Sequence, residues 1–557
     1  MEILEKIISI NISENVCKFL LSHQIVHTQN LIYSLKTNKI ALDCADTGTG
    51  KSYSAVAICK NENLRPFFIG PKAGIPNLYK ACEEFGIKPL GNVNYESIKN
   101  GKYYKSLEDY HSEIRSICPY VEIIREQERS PLTKKLLFTK SGNPKMVITK
   151  FIWKFPPKTL IIFDEVHKCR NGKSSGKETG NSKMLVSIKP FLNKTQEIFG
   201  LFLSATITDK LENFDVIAYM LGFYHPYHKK IYAQFVRRLG RNDQEIFKKI
   251  HSMIFPQYAS RMSIRLIKEC TGDSVFKNND VQAVMFPVAR STALEIEETH
   301  QKIKEALQEI RSHGISKGWG AVIRYWQRIE VLKVPSIVDT VISYLQEGSA
   351  VIVFVNFSET KKLLVDYILS HESNTGQSLI NMEKIDYIHG DQNSLQRQEV
   401  VDKFQNNKID LLACQIQAAG VALSLHDLHG KQRKSIIFPT WSATGLKQSL
   451  GRTYRALAKT DAVQRIVYCK YQEHSEADMI STNINDLDIE MRDRAPRFPG
   501  GPDFSNIPGE GKSTLSIEEM LCNNVNAKLE NIEWLNNGNL LDLQKIEIPD
   551  TITEENY

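Results

Sequence analysis

The stretch Ala41–Ser52, ALDCADTGTGKS, constrains this chain more than any other feature. Ile40 to Cys44 predict a buried strand. The run Asp46-Thr47-Gly48-Thr49-Gly50 cannot prolong it, because Gly48 and Gly50 admit backbone angles that turn successive N–H groups inward, toward an anion. Lys51 then reaches the β- and γ-phosphates of a triphosphate, and Ser52 offers its hydroxyl to Mg²⁺. SYSAVAICK continues as a helix whose N-terminal dipole faces the same anion. A cradle of this kind sits at the end of a parallel strand, so the sequence around it is expected to be an α/β sheet domain. Ala45 stands where the strict phosphate-loop pattern has its first glycine.

The second anchor is TLIIFDEVHKCRN. Four apolar residues predict a buried strand that ends in two adjacent carboxylates, an arrangement of little use for packing. Above a Mg-nucleotide the pair has work to do: Asp164 holds hydrated Mg²⁺ and Glu165 orients and deprotonates the attacking water. His167 is placed to link this site to its neighbours. GLFLSATIT repeats the design with Ser204, Ala205 and Thr206 at a strand end, where small hydroxylic residues can hydrogen-bond the acidic run. QSLGRTYRA spaces Gln448, Arg452 and Arg455 for one face of a helix, and two permanently charged guanidiniums require an anionic partner.

Around these anchors the chain divides. At 557 residues it exceeds one core, and the length prior is about three or four domains. Residues 1–225 are expected to form a sheet domain with the ATP site, 226–330 a helical insertion, 331–490 a second α/β domain without a phosphate loop, and 491–557 a tail. In the first, Gln29 is the candidate reader of adenine, with Gln24 as competitor, since a side-chain amide can pair with both N6 and N7. Pro71-Lys72 ends the next strand at a helix start, a position suited to a nucleic-acid backbone. Residues 104–143 have weak periodicity and are expected to be an insertion. Arg237, Arg238 and Arg241 cluster on a charged helix that reads equally as a nucleic-acid face or a solvated surface. The patch SIEEMLCNNVNAKLENIEWL predicts a helix docking on the body.

Composition adds exclusions. The 42% hydrophobic and 24% charged content belongs to an ordinary globular chain, and no run approaches the roughly 18 apolar residues of a membrane span. The start MEILEKIISINISENV carries acids where a signal peptide is basic, so the expected setting is intracellular and soluble. Ten single cysteines without a CxxC pair indicate neither a zinc ribbon nor a disulfide framework. A net charge of +7 permits nucleic-acid binding without requiring it.

Taken together, ADTGTGKS, DEVH, SAT and QSLGRTYR, in this order, resemble motifs I, II, III and VI of superfamily 2 helicases and translocases, over roughly residues 20–475. Ala45 is common in helicase-type loops. NYESIKNGK, KVPSIVDTVISYL leading into VIVFVNF, and FQNNKIDLLACQIQAAGVALSLHD look like the Swi/Snf-like branch. LSLHDLHGKQRKSIIFPTWSATGLKQSLGRTYRA is similar to strawberry notch proteins and to helicases of phages and large DNA viruses, for which the setting would be host cytoplasm or virion. The resemblance implies two RecA-like doubly wound parallel-sheet domains closing on Mg-ATP, with a helical insertion between them. It assigns nucleic-acid contacts to Pro71, Lys72, Tyr95, Asn356, Gln417 and Gly420. Arg455, with Arg452, becomes the arginine finger. The sequence departs at motif V, where VALS replaces the usual Gly-Leu.

The expected activity is ATP-dependent movement on nucleic acid, DNA ahead of RNA, with strand separation and a polymerase or replication complex as candidate partner. The alternatives are an RNA helicase or transcript-release ATPase, and an ATP-gated clamp without turnover; a complete set of Lys51, Asp164, Glu165 and Arg455 argues against the clamp.

Overall fold

The computed structural model describes residues 2–130, 133–139, 141–170, 178–313, 319–370, 381–419, 423–471 and 517–549. It separates into two units, Met1–Ile267 with Glu530–Asp542, and Lys268–Leu529 with Leu543–Tyr557.

The first unit contains, in chain order, β1 (Ile40–Asp43), β2 (Arg65–Gly70), β3 (Gly91–Asn94), β4 (Lys102–Tyr103), β5 (Ser116–Ile117), β6 (Val121–Gln127), β7 (Met146–Trp153), β8 (Thr159–Asp164), β9 (Ile198–Leu203) and β10 (Ala259–Ser260). Six of them form one parallel sheet in the order β10-β1-β9-β8-β2-β3. Alternate residues feed opposite cores: Ile161 and Phe163 of β8 join one cluster, Leu160 and Ile162 the other. A run of bulky apolar residues suits a strand covered on both faces, which is why TLIIF shows no polar alternation. Register then aligns the chemistry. Asp164 pairs with Leu203, Leu203 with Asp43 and Asp43 with Ser260, so the functional turns leave one edge of the sheet at a common level.

The second unit contains β11 (Asn279–Val288), β12 (Ala350–Val355), β13 (Ile385–Ile388), β14 (Leu411–Gln415), β15 (Arg433–Ile437) and β16 (Ala462–Tyr471). All six are parallel, in the order β11-β16-β15-β12-β14-β13. β12 lies inside and is buried at all six residues, AVIVFV. The doubly wound parallel-sheet expectation holds for both units.

The stretch expected as one helical insertion is shared out. Helices Lys229–Leu239 and Asp243–Ile254 pack Tyr232, Ile246, Phe247 and Ile250 into the first unit's core, whereas β11 pairs with β16 in the second sheet. Within the insertion expected over 104–143 lie a short helix, Leu107–His111, and β6, which pairs with β7 just beyond it in an antiparallel two-stranded ribbon. The helix expected in the patch SIEEMLCNNVNAKLENIEWL forms over Ile517–Asn537 and buries Leu521, Val525, Ile532 and Leu535. Its residues to Leu529 belong to the second unit and those from Glu530 to the first. Among the described residues no helix is long and apolar enough to cross a membrane.

Candidate nucleotide and nucleic-acid sites

In the first unit the phosphate loop has the predicted form. Gly48 (φ 87°) and Gly50 (φ 94°) adopt the left-handed region, and helix Lys51–Asn61 starts from Gly50. Gly50 has a second reason to be glycine: a Cβ there would meet Gln24 Nε2 at 2.1 Å. Lys51 Nζ folds back over the loop, donating to the carbonyls of Ala45 (2.9 Å) and Asp46 (3.0 Å). Thr49 Oγ1 donates to the Asp46 carbonyl at 2.8 Å, closing the turn that carries Thr47.

Asp164 ends β8 and Glu165 follows it, as expected. Glu165 itself sits at φ 52°, an uncommon conformation for a residue with a Cβ and one that concentrates at functional sites. His167 Nδ1 lies 3.2 Å from Glu165 Oε2 and 3.0 Å from Ser204 Oγ, and Ser204 Oγ donates to the Thr206 carbonyl at 2.8 Å. The acidic run and the Ser-Ala-Thr run therefore touch through His167. Burial raises the Asp164 carboxyl, and the neighbouring Glu165 charge raises it further. Burial also acts to raise Glu165, but its hydrogen bond with His167 and the charge there hold it below the ordinary carboxylate range. Two adjacent acids pushed apart in this way suit different tasks. Lys51 lowers both, which places its ammonium within electrostatic reach of the pair. The donors fit Mg-ATP: a hydroxyl on Ser52 and a half-buried carboxylate on Asp164 are hard oxygen ligands at the same sheet edge as the glycine loop.

Beneath the loop, Asp43 is fully buried and pairs with His27 Nε2 at 3.2 Å. Burial would raise its carboxyl, yet His27, Lys51 and the Ala45 N–H together hold it below its ordinary value.

Several expected positions are corrected. Gln29 donates to the carbonyls of Ile8 and Ile10 (2.7 Å for the second), which ties the first helix down. Gln24, the competitor, is the amide on the loop: its Nε2 donates to the Thr49 carbonyl at 2.9 Å and its Oε1 accepts from the Leu21 N–H. Tyr95 is buried, and its hydroxyl donates to the Asp164 carbonyl at 2.7 Å, so it braces the acidic run instead of facing a ligand. Pro71 is buried, whereas Lys72 is partly exposed and ion-paired with Glu113 at 3.0 Å.

Sequence reasoning missed Arg261 altogether. Its guanidinium pairs with Asp46 at 2.9 Å, donates to the Cys44 carbonyl at 2.8 Å and is held by Asn537 Oδ1 at 2.8 Å. Burial would lower this guanidinium, but Asp46 and Glu533 more than offset it. Next to Asn537, Asn536 Nδ2 donates to the Ala205 carbonyl at 2.9 Å. Asn537, through Arg261, and Asn536 thus brace the loop's first acid and the Ser-Ala-Thr run from far downstream in the sequence. No local motif announces them.

In the second unit, Asn356 is likewise corrected from surface contact to core. Its backbone N–H (2.9 Å) and side-chain amide donate to Glu330, and its amide also donates to the Pro439 carbonyl at 2.9 Å. Glu330 further accepts from the Phe357 N–H (3.1 Å) and Thr360 Oγ1 (2.7 Å), closing the strand end and the start of helix Ser358–Ser370. Burial pushes its carboxyl up to about 7 against these donors. Gln417 is exposed, and Gly420 lies outside the described residues.

Gln448 and Arg452 are buried on helix Ala443–Thr453. That helix ends before Arg455, so the three residues do not share a helix face. Arg452 Nη1 (3.2 Å) and Arg455 Nη2 (2.7 Å) nevertheless converge on the Leu423 carbonyl. Burial lowers the Arg455 guanidinium to about 9, and Arg452 beside it adds to the shift. Among the described residues no carboxylate pairs with Arg455, which leaves a desolvated cation suited to an incoming anion.

The helicase conserved C-terminal domain matches residues 333–457. Protein L364 of Acanthamoeba polyphaga mimivirus, named as an ATP-dependent RNA helicase, is 31% identical over 507 residues, covering 85% of this chain and 84% of its own length. The Sulfolobus solfataricus SWI2/SNF2 ATPase core in complex with dsDNA aligns at 14% identity with TM-score 0.32, covering 82% of this chain and 90% of that one. The Pyrococcus furiosus Hef helicase domain aligns at 13% identity with TM-score 0.37, covering 80% and 96%.

Proposed function

The chain belongs to the superfamily 2 helicases, and from that premise we propose that it is an ATP-hydrolysing motor that translocates on nucleic acid, DNA ahead of RNA, within the Swi/Snf-like branch. The observation that carries this reading is the meeting of Lys51, Asp164, Glu165, His167 and Ser204 on one sheet edge, joined by the His167 contacts to Glu165 and Ser204. Mg²⁺, when bound with ATP, supplies charge neutralisation at the phosphates, and Ser52 and Asp164 are the residues that would hold it.

The chain's own residues perform the rest. Lys51 leaves its two loop carbonyls to bind the β- and γ-phosphates. Glu165 orients the attacking water and takes its proton, and His167 beside it holds the carboxylate in place. Gln24, buried with both ends of its amide engaged by Leu21 and Thr49, holds the shape of the loop. Arg455, with Arg452, is assigned the arginine finger that neutralises charge during phosphoryl transfer. Gln417, exposed, and Lys72, partly exposed and able to leave Glu113 for a phosphate, keep their assignment as nucleic-acid contacts. A second reading, an RNA helicase or transcript-release ATPase, is favoured by the name of the mimivirus relative.

The test is steady-state ATP hydrolysis without polymer and with single-stranded DNA, duplex DNA, single-stranded RNA and a forked duplex, using Glu165→Gln as control. Stimulation by duplex DNA supports the translocase, and stimulation by RNA alone supports the second reading. Turnover retained in Glu165→Gln removes the general-base assignment, and absence of stimulation by every polymer overturns the motor.

A further inference from the structure

The ribbon β6-β7 has no part in the nucleotide site, yet most of the chain's excess charge lies in it. Residues 121–154 hold eight Lys and Arg against three Glu, a net +5 out of +7 for the whole protein. Two of the three acids are already consumed inside the ribbon, Glu122 by Lys154 (2.6 Å) and Glu128 by Lys145 (2.8 Å). Lys134, Lys135 and Lys150 make no ion pair among the described residues.

The ribbon's root is fixed. Val121, Phe151 and Trp153 are buried in the first unit's core, and Trp153 Nε1 donates to Ser187 Oγ at 2.9 Å. Strand pairing runs from Val121–Trp153 to Gln127–Met146, and bridges Arg129–Leu136 and Phe138–Pro144 carry it outward. Arg125 donates to the Lys99 carbonyl and Asn100 Oδ1, directly after helix Tyr95–Ile98. The same insertion supplies Glu113, the partner of Lys72. The arm is thus rooted beside the turn that follows helix Tyr95–Ile98.

Its outer end combines two residue types that seldom share a solvated tip. Lys134 and Lys135 are exposed next to Leu136 and to Phe138, which is 58% exposed. Lysines alone would be explained as guards against edge-to-edge pairing. An uncovered phenyl ring works against that purpose. Cations interleaved with an exposed aromatic are the elements that grip phosphates and stack on unpaired bases.

We propose that the β6-β7 ribbon is a nucleic-acid arm: Lys134 and Lys135 contact phosphates of a single strand, and Phe138 stacks on one of its bases. The proposal rests on the reading of the chain as a nucleic-acid motor. The test uses the full chain and fluorescein-labelled single-stranded DNA and RNA oligonucleotides, with affinity read by anisotropy across a salt series. In Lys134→Ala/Lys135→Ala the slope of log affinity against log salt should fall by about 1.4, or about 0.7 per lost contact. Phe138→Ala should lose about tenfold in affinity, and Phe138→Tyr should recover most of it. Wild-type binding with every variant at the wild-type affinity and slope overturns the arm and leaves the motor standing. So does a Phe138→Tyr variant as weak as Phe138→Ala. A wild-type chain that binds neither oligonucleotide overturns the motor reading and the arm with it.

Discussion

The two units share one scaffold and divide the chemistry between them. Each has six parallel strands, and each carries its polar turns beyond the strand ends. In the first unit those turns hold a lysine, two acids and a glycine loop, and each ionisable group has a protein partner: Lys51 the loop carbonyls, Glu165 His167, Asp46 Arg261. In the second, the corresponding edge holds a buried carboxylate spent on structure, Glu330, and a half-buried arginine, Arg455, that no carboxylate pairs among the described residues. The difference teaches where binding energy can come from. A site whose cations already have protein partners can release them to a ligand, whereas a half-buried guanidinium resting on a neutral carbonyl gains most when an anion arrives.

The largest expected effect tests that division. Arg455→Ala should lower polymer-stimulated turnover by about 10³-fold or more with little change in ATP affinity, as for loss of an arginine finger. Lys51→Ala should instead weaken ATP binding by about 10–100-fold, the scale of a lost charge-assisted contact. Nucleotide titration beside steady-state kinetics separates the two, and the reverse pattern would break the comparison.

Next is Glu330→Ala, which strands four buried donors and should destabilise the second unit by about 3 kcal/mol in denaturant unfolding. Glu330→Gln keeps the acceptor oxygen and should lose less. Equal losses would show that packing, not hydrogen bonding, holds the strand end.

Arg261→Ala is expected to be milder, about tenfold in ATP affinity, because it frees Asp46 without removing a phosphate ligand. Asn537→Ala should move affinity in the same direction, more weakly. An unchanged affinity in both would separate the C-terminal residues from the nucleotide site.

The smallest effect is in acid. Asp43 is held below its ordinary 3.8 in the folded state, so the unfolded chain takes up the proton first as the pH drops. Its stabilising contribution is complete above 3.8 and is lost as pH falls through the lowered folded value. Unfolding midpoints between pH 5 and 2 should therefore fall less steeply in Asp43→Asn than in the wild type.

Much of the nucleotide site was legible because its chemistry is local. ADTGTGKS closes a turn over neighbouring residues, and TLIIFDE carries strand and acids in one run, so each motif contains its own geometry. Reading failed wherever a side chain could choose among distant partners. Gln24 and Gln29 have the same amide and lie on the same helix, Ser22–Asn38, and only the packing of the N-terminal segment turned Gln29 toward Ile8 and Ile10. Asn356 and Tyr95 stand at strand ends, where exposure is the usual expectation, until Glu330 and the Asp164 carbonyl claimed them. Arg455 fell beyond the helix predicted to carry it.

The sequence by itself determined two parallel α/β units, the phosphate loop, the acidic pair and the arginines, because hydrophobic period and turn chemistry act over a few residues. Tertiary structure alone decided that Arg261, Asn536 and Asn537 brace the loop and the Ser-Ala-Thr run, and that the ribbon's charge is rooted beside Lys99 and Asn100. Buried polar groups must find partners wherever the fold brings them, and that search is carried out in space and not along the chain.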